Sequence, residues 1–112
     1  MRINTLDIDG IIDQGGFCLS KDDIIITGRS YEEAEEISKL MIRKKINNRI
    51  FYNPIELKNK TRENSAQHKV IILSSLISQG YNVETHFDVD EIQVEIIKKL
   101  CPSVKVVLLI QK

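Results

Sequence analysis

Three consecutive isoleucines, Ile24, Ile25 and Ile26, constrain the fold more than any other feature of the sequence. Side chains along a β-strand alternate between its two faces, so a strand with this run must be buried on both sides. Sheets that are covered on both faces are mostly parallel, and helices connect their strands. The run therefore predicts a strand inside a parallel sheet with helices packed on it.

Strand patterns and helix patterns alternate along the rest of the chain. Apolar runs predict strands over residues 2–6, 22–27, 49–53, 82–88 and 104–110. Helical spacing of apolar side chains predicts helices over about 30–45, about 65–79 and from 90 to the residue before Pro102. This alternation predicts an α/β fold, namely a three-layer Rossmann-like sandwich with a mostly parallel five-stranded sheet. We expect one domain over residues 1–112.

Local signals mark the helix ends. Ser30 with Glu33, and Asp90 with Gln93, have the spacing of a capping box at the start of a helix. Gly80 is placed as the C-terminal cap of the second helix.

Composition limits the cellular context and the partners. Sixteen basic residues balance sixteen acidic ones, so nucleic acid is not indicated by charge. Cys18 and Cys101 are far apart and lack zinc-site spacing, which suits a reducing compartment. No apolar run approaches the ~20 residues that a membrane span needs. We expect a cytoplasmic protein without a membrane partner, and the sequence leaves its oligomeric state open.

Chemically useful side chains follow the predicted strands where each strand ends. The carboxyl ends of parallel strands meet at one edge of the sheet, which is where ligands bind in such folds. The residues at this edge are Asp7, Asp9, Thr27, Gly28, Arg29, Asn53, Asp88 and Asp90, and Lys69 lies on the helix before the fourth strand.

Four segments of this set resemble the motifs of the haloacid dehalogenase-like (HAD) superfamily of phosphotransferases. LDIDG is similar to the first motif, IIITGR to the second and HFDVD to the fourth, and Lys69 in SAQHKVII stands where the third-motif lysine would be. The segments that follow the first and third strands are too short for an inserted cap domain. The resemblance therefore implies a single, minimal HAD-like domain without a cap.

The resemblance implies a Mg²⁺-dependent phosphomonoester hydrolase that forms an aspartyl phosphate. Asp7 would attack phosphorus, and Asp9 would protonate the leaving oxygen and later deprotonate water. Thr27 would hydrogen-bond a phosphoryl oxygen and Lys69 would steady the nucleophile.

The same resemblance implies the ligands of the metal and of the substrate. Mg²⁺ would be held by Asp7, by the main-chain carbonyl of Asp9 and by Asp88 or Asp90, a choice that the sequence leaves open. Gly28 and Arg29 would bind substrate beside Thr27. An open site is expected to admit a large phosphorylated substrate, and a nucleotide or polynucleotide phosphate is one candidate.

Each candidate residue also has a simpler interpretation. The aspartates of an isolated DxD often only stabilise a turn, Asp90 could be only a helix cap, and Lys69 could be a solvated lysine. Lys58 and Lys60 are then fallback candidates for the third-motif lysine. The two histidines, His68 and His86, lack partners at metal-ligand spacing and are interpreted as structural.

Two other functions were weighed against the phosphatase. A catalytically inactive HAD-like module that acts in protein or nucleic-acid interaction would keep the fold but would not need Asp7. A response-regulator receiver needs a phosphoacceptor after the third strand, where this chain has Asn53 and Pro54, and a lysine after the fifth, where it has Ile110 and Gln111. We therefore reject the receiver and retain the inactive module as the alternative.

Overall fold

The computed structural model of the protein describes residues 1–9 and 19–109. Within these ranges, five strands form one all-parallel sheet in the order β3-β2-β1-β4-β5. The strands are β1 (Arg2–Leu6), β2 (Ile24–Ser30), β3 (Ile50–Asn53), β4 (Asn82–Asp88) and β5 (Lys105–Leu108). The helices of the same ranges are α1 (Ala34–Arg43), α2 (Arg62–Ser78) and α3 (Glu91–Leu100), with short 3-10 turns at Tyr31–Glu33 and Leu57–Asn59.

The predicted parallel α/β class is thus confirmed. The finer HAD-like layering stays a prediction. Gly10, Gly15, Gly16, Cys18 and the predicted end of the fifth strand at Ile110 lie outside the described residues.

The isoleucine run of β2 is buried on both faces, as predicted. Ile24 and Ile26 belong to a core cluster that includes Leu73 of α2 and Ile97 of α3. Ile25 points to the other face, where it packs in a second cluster with side chains of α1. None of the three isoleucines is more than 3% exposed, so apolar burial on both faces fixes β2 in the sheet interior.

The pairing of β1 with β4 brings two predicted motifs together. Leu6 is aligned with Phe87 in the parallel register, and the Asp7 N–H donates to the Phe87 carbonyl at 3.0 Å. Asp7, which follows β1, and Asp88, the last residue of β4, therefore lie at the same edge of the sheet.

Two predicted helix ends are confirmed. Asp90 caps α3 because its side chain accepts hydrogen bonds from the N–H groups of Ile92 and Gln93. Gly80 follows α2 with a φ of +99°, which a glycine adopts without steric cost. Its N–H donates to the Ile77 carbonyl and closes the helix.

The start of α2 differs from the prediction. The helix begins at Arg62, three residues before the expected start at Ser65, because Thr61 and Asn64 form a capping box. The Asn64 N–H donates to Thr61 Oγ1 at 3.0 Å, and the Thr61 N–H donates to Asn64 Oδ1 at 2.8 Å.

The capping box predicted at Ser30 is wrong. Ser30 is the last residue of β2, its side chain makes no cap, and its hydroxyl donates to the Ile55 carbonyl at 2.8 Å. The helix α1 then starts only at Ala34, after the 3-10 turn, and ends at Arg43 rather than Lys45. Lys45 has a left-handed φ of 56°, which reverses the chain.

In the part of the chain that the structure describes, no helix is both long and apolar enough to cross a lipid bilayer.

Candidate functional site

An open cavity of about 500 Å³ lies at the carboxyl ends of β1, β2 and β4. It is lined by six of the predicted site positions, by residues just before α2 and in its first turn, and by residues around the start of α3. The lining residues are Asp7, Asp9, Gly28, Arg29, Lys60, Thr61, Arg62, Ser65, Lys69, Val89, Asp90 and Gln93. Thr27 and Asp88 are fully buried behind this wall. The structure therefore brings the predicted residues together at one edge of the sheet.

Lys69 is the centre of the buried part of the site. Its side chain is 1% exposed, and its Nζ lies 2.7 Å from Asp88 Oδ2 and 3.5 Å from Asp7 Oδ1. The solvated-lysine interpretation is thus wrong. Of the two fallback lysines, Lys58 lies beside Glu56, and Lys60 lines the mouth of the same cavity, where its Nζ contacts Glu33.

The charge of Asp7 is only partly compensated. Burial raises the pKa of this carboxyl most, Lys69 opposes the rise, and the negative charges of Asp88 and Asp9 add to it. The resulting pKa is about 7. Asp7 is therefore poised between its charged and neutral forms near neutral pH, which is a frequent property of functional carboxyl groups.

Asp88 and Lys69 form a permanent ion pair beside Asp7. Burial alone would raise the pKa of Asp88, but the hydrogen bond from His86 and the charge of Lys69 hold it well below its usual range. Burial would likewise lower the pKa of Lys69, but Asp7 and Asp88 hold it above its ordinary value. Both groups stay charged at neutral pH.

Asp9 belongs to a chain of charges at the cavity mouth. Its Oδ1 accepts hydrogen bonds from Arg29 Nη2 at 3.0 Å and from Arg29 Nε at 3.3 Å. The same guanidinium donates to Glu33 at 3.3 Å, and Lys60 Nζ lies 3.0 Å from the other oxygen of Glu33. Arg29 therefore orients Asp9 rather than facing solvent alone.

The end of β2 is built by hydrogen bonds to the main chain. Thr27 Oγ1 accepts from the Arg29 N–H at 3.0 Å, so the threonine shapes the turn at the cavity wall. Asn53 Nδ2 donates to the Gly28 carbonyl at 3.2 Å and lies 3.3 Å from Ser65 Oγ. Asn53 thus ties the end of β3 to β2 and α2 below the cavity.

Asp90 lines the cavity, but all of its contacts are structural. Besides capping α3, it binds Arg62 through two hydrogen bonds of 2.7 and 2.9 Å and accepts from Gln93 Nε2 at 3.1 Å. These bonds hold the pKa of Asp90 below its ordinary value, first through the hydrogen bond from Arg62.

The donor set suits a hard cation that is only partly enclosed by protein. Within residues 1–9 and 19–109, no group of three or more His, Cys, Asp or Glu side chains is arranged to hold a metal ion. Mg²⁺ commonly binds one or two carboxylates and completes its shell with water and substrate phosphate. Asp7 fits this role because its buried, undercompensated charge lines an open cavity.

His86, interpreted from the sequence as structural, and Thr5 are not among the predicted site residues. Both are fully buried beneath Asp88, and His86 Nε2 lies 3.0 Å from Asp88 Oδ2. The two-residue spacing of His86 and Asp88 on one strand, which places both side chains on one face, was the available signal. Nothing in the local sequence pointed to Thr5.

Comparisons of this chain with protein-family models, with curated proteins and with solved structures found no match.

Proposed function

We propose that the protein is a Mg²⁺-dependent phosphomonoester hydrolase of HAD-like type that acts through an aspartyl phosphate on Asp7. The observation that carries the proposal is the buried Lys69 between Asp7 and Asp88 at an open cavity. A carboxylate nucleophile must approach an anionic phosphoryl group, so neighbouring positive charge is what such a reaction needs.

The first step transfers the phosphoryl group to Asp7. An Asp7 carboxylate oxygen forms a bond to phosphorus, the bond from phosphorus to the leaving oxygen breaks, and Asp9 gives its proton to that oxygen. In the second step Asp9 takes a proton from water as the water oxygen attacks phosphorus. The bond between phosphorus and Asp7 then breaks, which releases inorganic phosphate and restores both carboxyl groups.

Mg²⁺ is part of this proposal, and Asp7 together with the main-chain carbonyl of Asp9 would hold it. When bound, the ion supplies positive charge that keeps Asp7 ionised and screens it from the phosphate. Asp88 and Asp90 remain candidates as further ligands, although both already accept several hydrogen bonds.

The protein's own residues supply the rest of the site. Lys69 holds Asp7 in place and balances the charge that develops during transfer. Arg29 orients Asp9 through two hydrogen bonds. Gly28 and Arg29 line the cavity where a phosphoryl group would lie, with Thr27 directly behind them.

The open mouth supports a substrate that extends beyond the phosphoryl group. The cavity volume of about 500 Å³ is far larger than a phosphate, and Arg29, Lys60 and Arg62 line its mouth. A phosphorylated macromolecule, or a nucleotide or polynucleotide phosphate, is the substrate class that we propose.

The proposal is tested with a generic aryl phosphate, for example p-nitrophenyl phosphate, in the presence of Mg²⁺. We expect phosphate release by the wild type and a loss of at least a hundredfold in Asp7→Asn. Beryllofluoride with Mg²⁺ is the second probe, and it should raise the melting temperature of the wild type but not of the variant. If the wild type shows no turnover and beryllofluoride does not stabilise it, the inactive interaction module is favoured instead.

A further inference from the structure

A buried row of polar groups runs from β1 through β4 to Asp7. Thr5 Oγ1 lies 2.7 Å from His86 Nδ1, and His86 Nε2 lies 3.0 Å from Asp88 Oδ2. The same Asp88 oxygen accepts from Lys69 Nζ at 2.7 Å. Thr5, His86 and Asp88 are each 0% exposed, so solvent supplies no alternative partner to any of them.

The chemistry of the row fixes where each proton lies. Asp88 is ionised and therefore only accepts hydrogen bonds, so His86 Nε2 must carry a proton and donate it. A neutral imidazole that donates through Nε2 has Nδ1 as its acceptor, and Thr5 Oγ1 lies 2.7 Å from that nitrogen. The Thr5 hydroxyl must then donate to Nδ1. Only one of the two neutral tautomers of His86 satisfies both neighbours.

The other oxygen of Asp88 is held by the main chain. Asp88 Oδ1 accepts from the N–H groups of Val89 at 2.8 Å and Asp90 at 3.3 Å. With Lys69 and His86 on Oδ2, the carboxylate has four hydrogen-bond donors, which is about its full acceptor capacity. It cannot rotate without breaking several of these bonds.

We infer that Thr5 and His86 are positioning residues of the site, which lock the Asp88 carboxylate so that it holds Lys69 beside Asp7. The inference rests on the proposed phosphatase function for its catalytic consequence, but not for its geometry. Lys69 reaches Asp7 at 3.5 Å and Asp88 at 2.7 Å, so a rotation of Asp88 would change where the ammonium group sits. A misplaced Lys69 would affect the chemical step more than substrate binding.

The first test measures the protons directly. Nitrogen-15 correlation spectra of the histidine rings in the wild type should show the His86 proton on Nε2 and none on Nδ1. In Thr5→Val the Asp88 carboxylate still holds the ring proton on Nε2, but Nδ1 loses its hydrogen-bond donor, so we expect the Nδ1 resonance to shift away from its wild-type position. Thr5→Ser keeps the hydroxyl and should retain the wild-type Nδ1 resonance. A wild-type proton on Nδ1, or identical spectra for the Val and Ser variants, would overturn the inference.

The second test measures the catalytic consequence with p-nitrophenyl phosphate and Mg²⁺. Loss of one buried hydrogen bond in the row should lower kcat of Thr5→Val about tenfold, with KM within about twofold of the wild type. Thr5→Ser should restore kcat to within about threefold. Thr85→Val makes the same change at the neighbouring residue of His86, and its kcat should stay near that of the wild type.

The outcomes separate the inference from the proposed function. If the wild type shows no turnover, the phosphatase proposal fails. The ring spectra alone then test whether Thr5 and His86 hold the Asp88 carboxylate. If turnover is normal and the Thr5→Val and Thr85→Val variants lose kcat equally, the row has no positioning role.

Discussion

The replacement of Asp7 by Asn is expected to stabilise the protein while it abolishes activity. The folded protein holds the pKa of Asp7 near 7, compared with 3.8 for an ordinary aspartate. Between these two pH values the folded state keeps a proton that the unfolded state has released. The free energy of unfolding of the wild type therefore falls as the pH rises through this window, and the fall is complete above about pH 7. An asparagine does not ionise, so the variant does not lose this stability.

The size of the stabilisation in Asp7→Asn follows from the interval between the pKa values of Asp7 in the unfolded and folded states. About three pH units at ~1.4 kcal/mol each give about 4 kcal/mol, which is an upper limit because Lys69 and Asp88 adjust to the charge of Asp7. The difference in the free energy of unfolding between Asp7→Asn and the wild type should grow by up to ~1.4 kcal/mol per pH unit between about pH 4 and pH 7. Above that it should stay constant.

Urea unfolding of both proteins in a chelator, at several pH values and constant ionic strength, measures this difference. The value near pH 4 serves as an internal control, since the carboxyl is then neutral and only the packing of the amide differs. His68 titrates in both proteins, so its contribution cancels. A difference that does not change with pH would show that Asp7 is ionised in the folded state throughout, which refutes the reasoning.

Three further predictions concern other groups of the site and its surroundings. Lys69→Met should lower the free energy of unfolding by about 3–5 kcal/mol in urea, because it leaves the charge of Asp88 buried without its partner; a loss below about 1 kcal/mol would contradict the burial of this ion pair. Burial and the charge of Lys69 lower the pKa of His68 to about 4, so its ring should stay neutral at pH 5.5 in an NMR titration, and a midpoint near the ordinary 6.5 would contradict this. Asp90→Ala removes the cap of α3 and should cost about 1 kcal/mol in urea unfolding, whereas an unchanged midpoint would show that the cap contributes nothing.

The parts of the fold that the sequence predicted well are those set by local chemistry. The isoleucine run of β2 has to be buried on both faces. The ends of β4 agree with the prediction because the strand begins two residues after the helix-ending Gly80 and ends two residues before the capping Asp90. Asp90 as a helix cap needed only its neighbours along the chain.

The predictions that were wrong depended on contacts between residues that are distant in the sequence. Ser30 has the local pattern of a helix cap, but pairing with β3 extends β2 through it and its hydroxyl bonds to Ile55 instead. In α2, Ile77 stands four residues after the buried Leu73, a helical spacing, yet Ile77 is 39% exposed and its neighbour Leu76 is buried. The helix begins after Thr61, and its packing against the sheet and α3, rather than the spacing in the sequence, determines which of its side chains are buried.

The sequence predicted which residues form the site but not the hydrogen bonds and ion pairs between them. Aspartates at strand ends and a lysine on the following helix are visible in the sequence, but the burial of Lys69 against two acids is not. Thr5 and His86 are 81 residues apart and meet only through the pairing of β1 with β4. Arg29 could be placed at the carboxyl edge of the sheet from its position in the sequence, whereas its two hydrogen bonds to Asp9 required the structure.

We propose Asp7 as the nucleophile of a Mg²⁺-dependent phosphatase. The most direct measurement is Mg²⁺-dependent phosphate release from p-nitrophenyl phosphate by the wild type, by Asp7→Asn and by chelator-treated wild type. We predict turnover in the wild type alone, restored to the chelated protein by added Mg²⁺. Equal phosphate release by the wild type and Asp7→Asn would contradict the proposed role of Asp7, because another group would then perform the reaction.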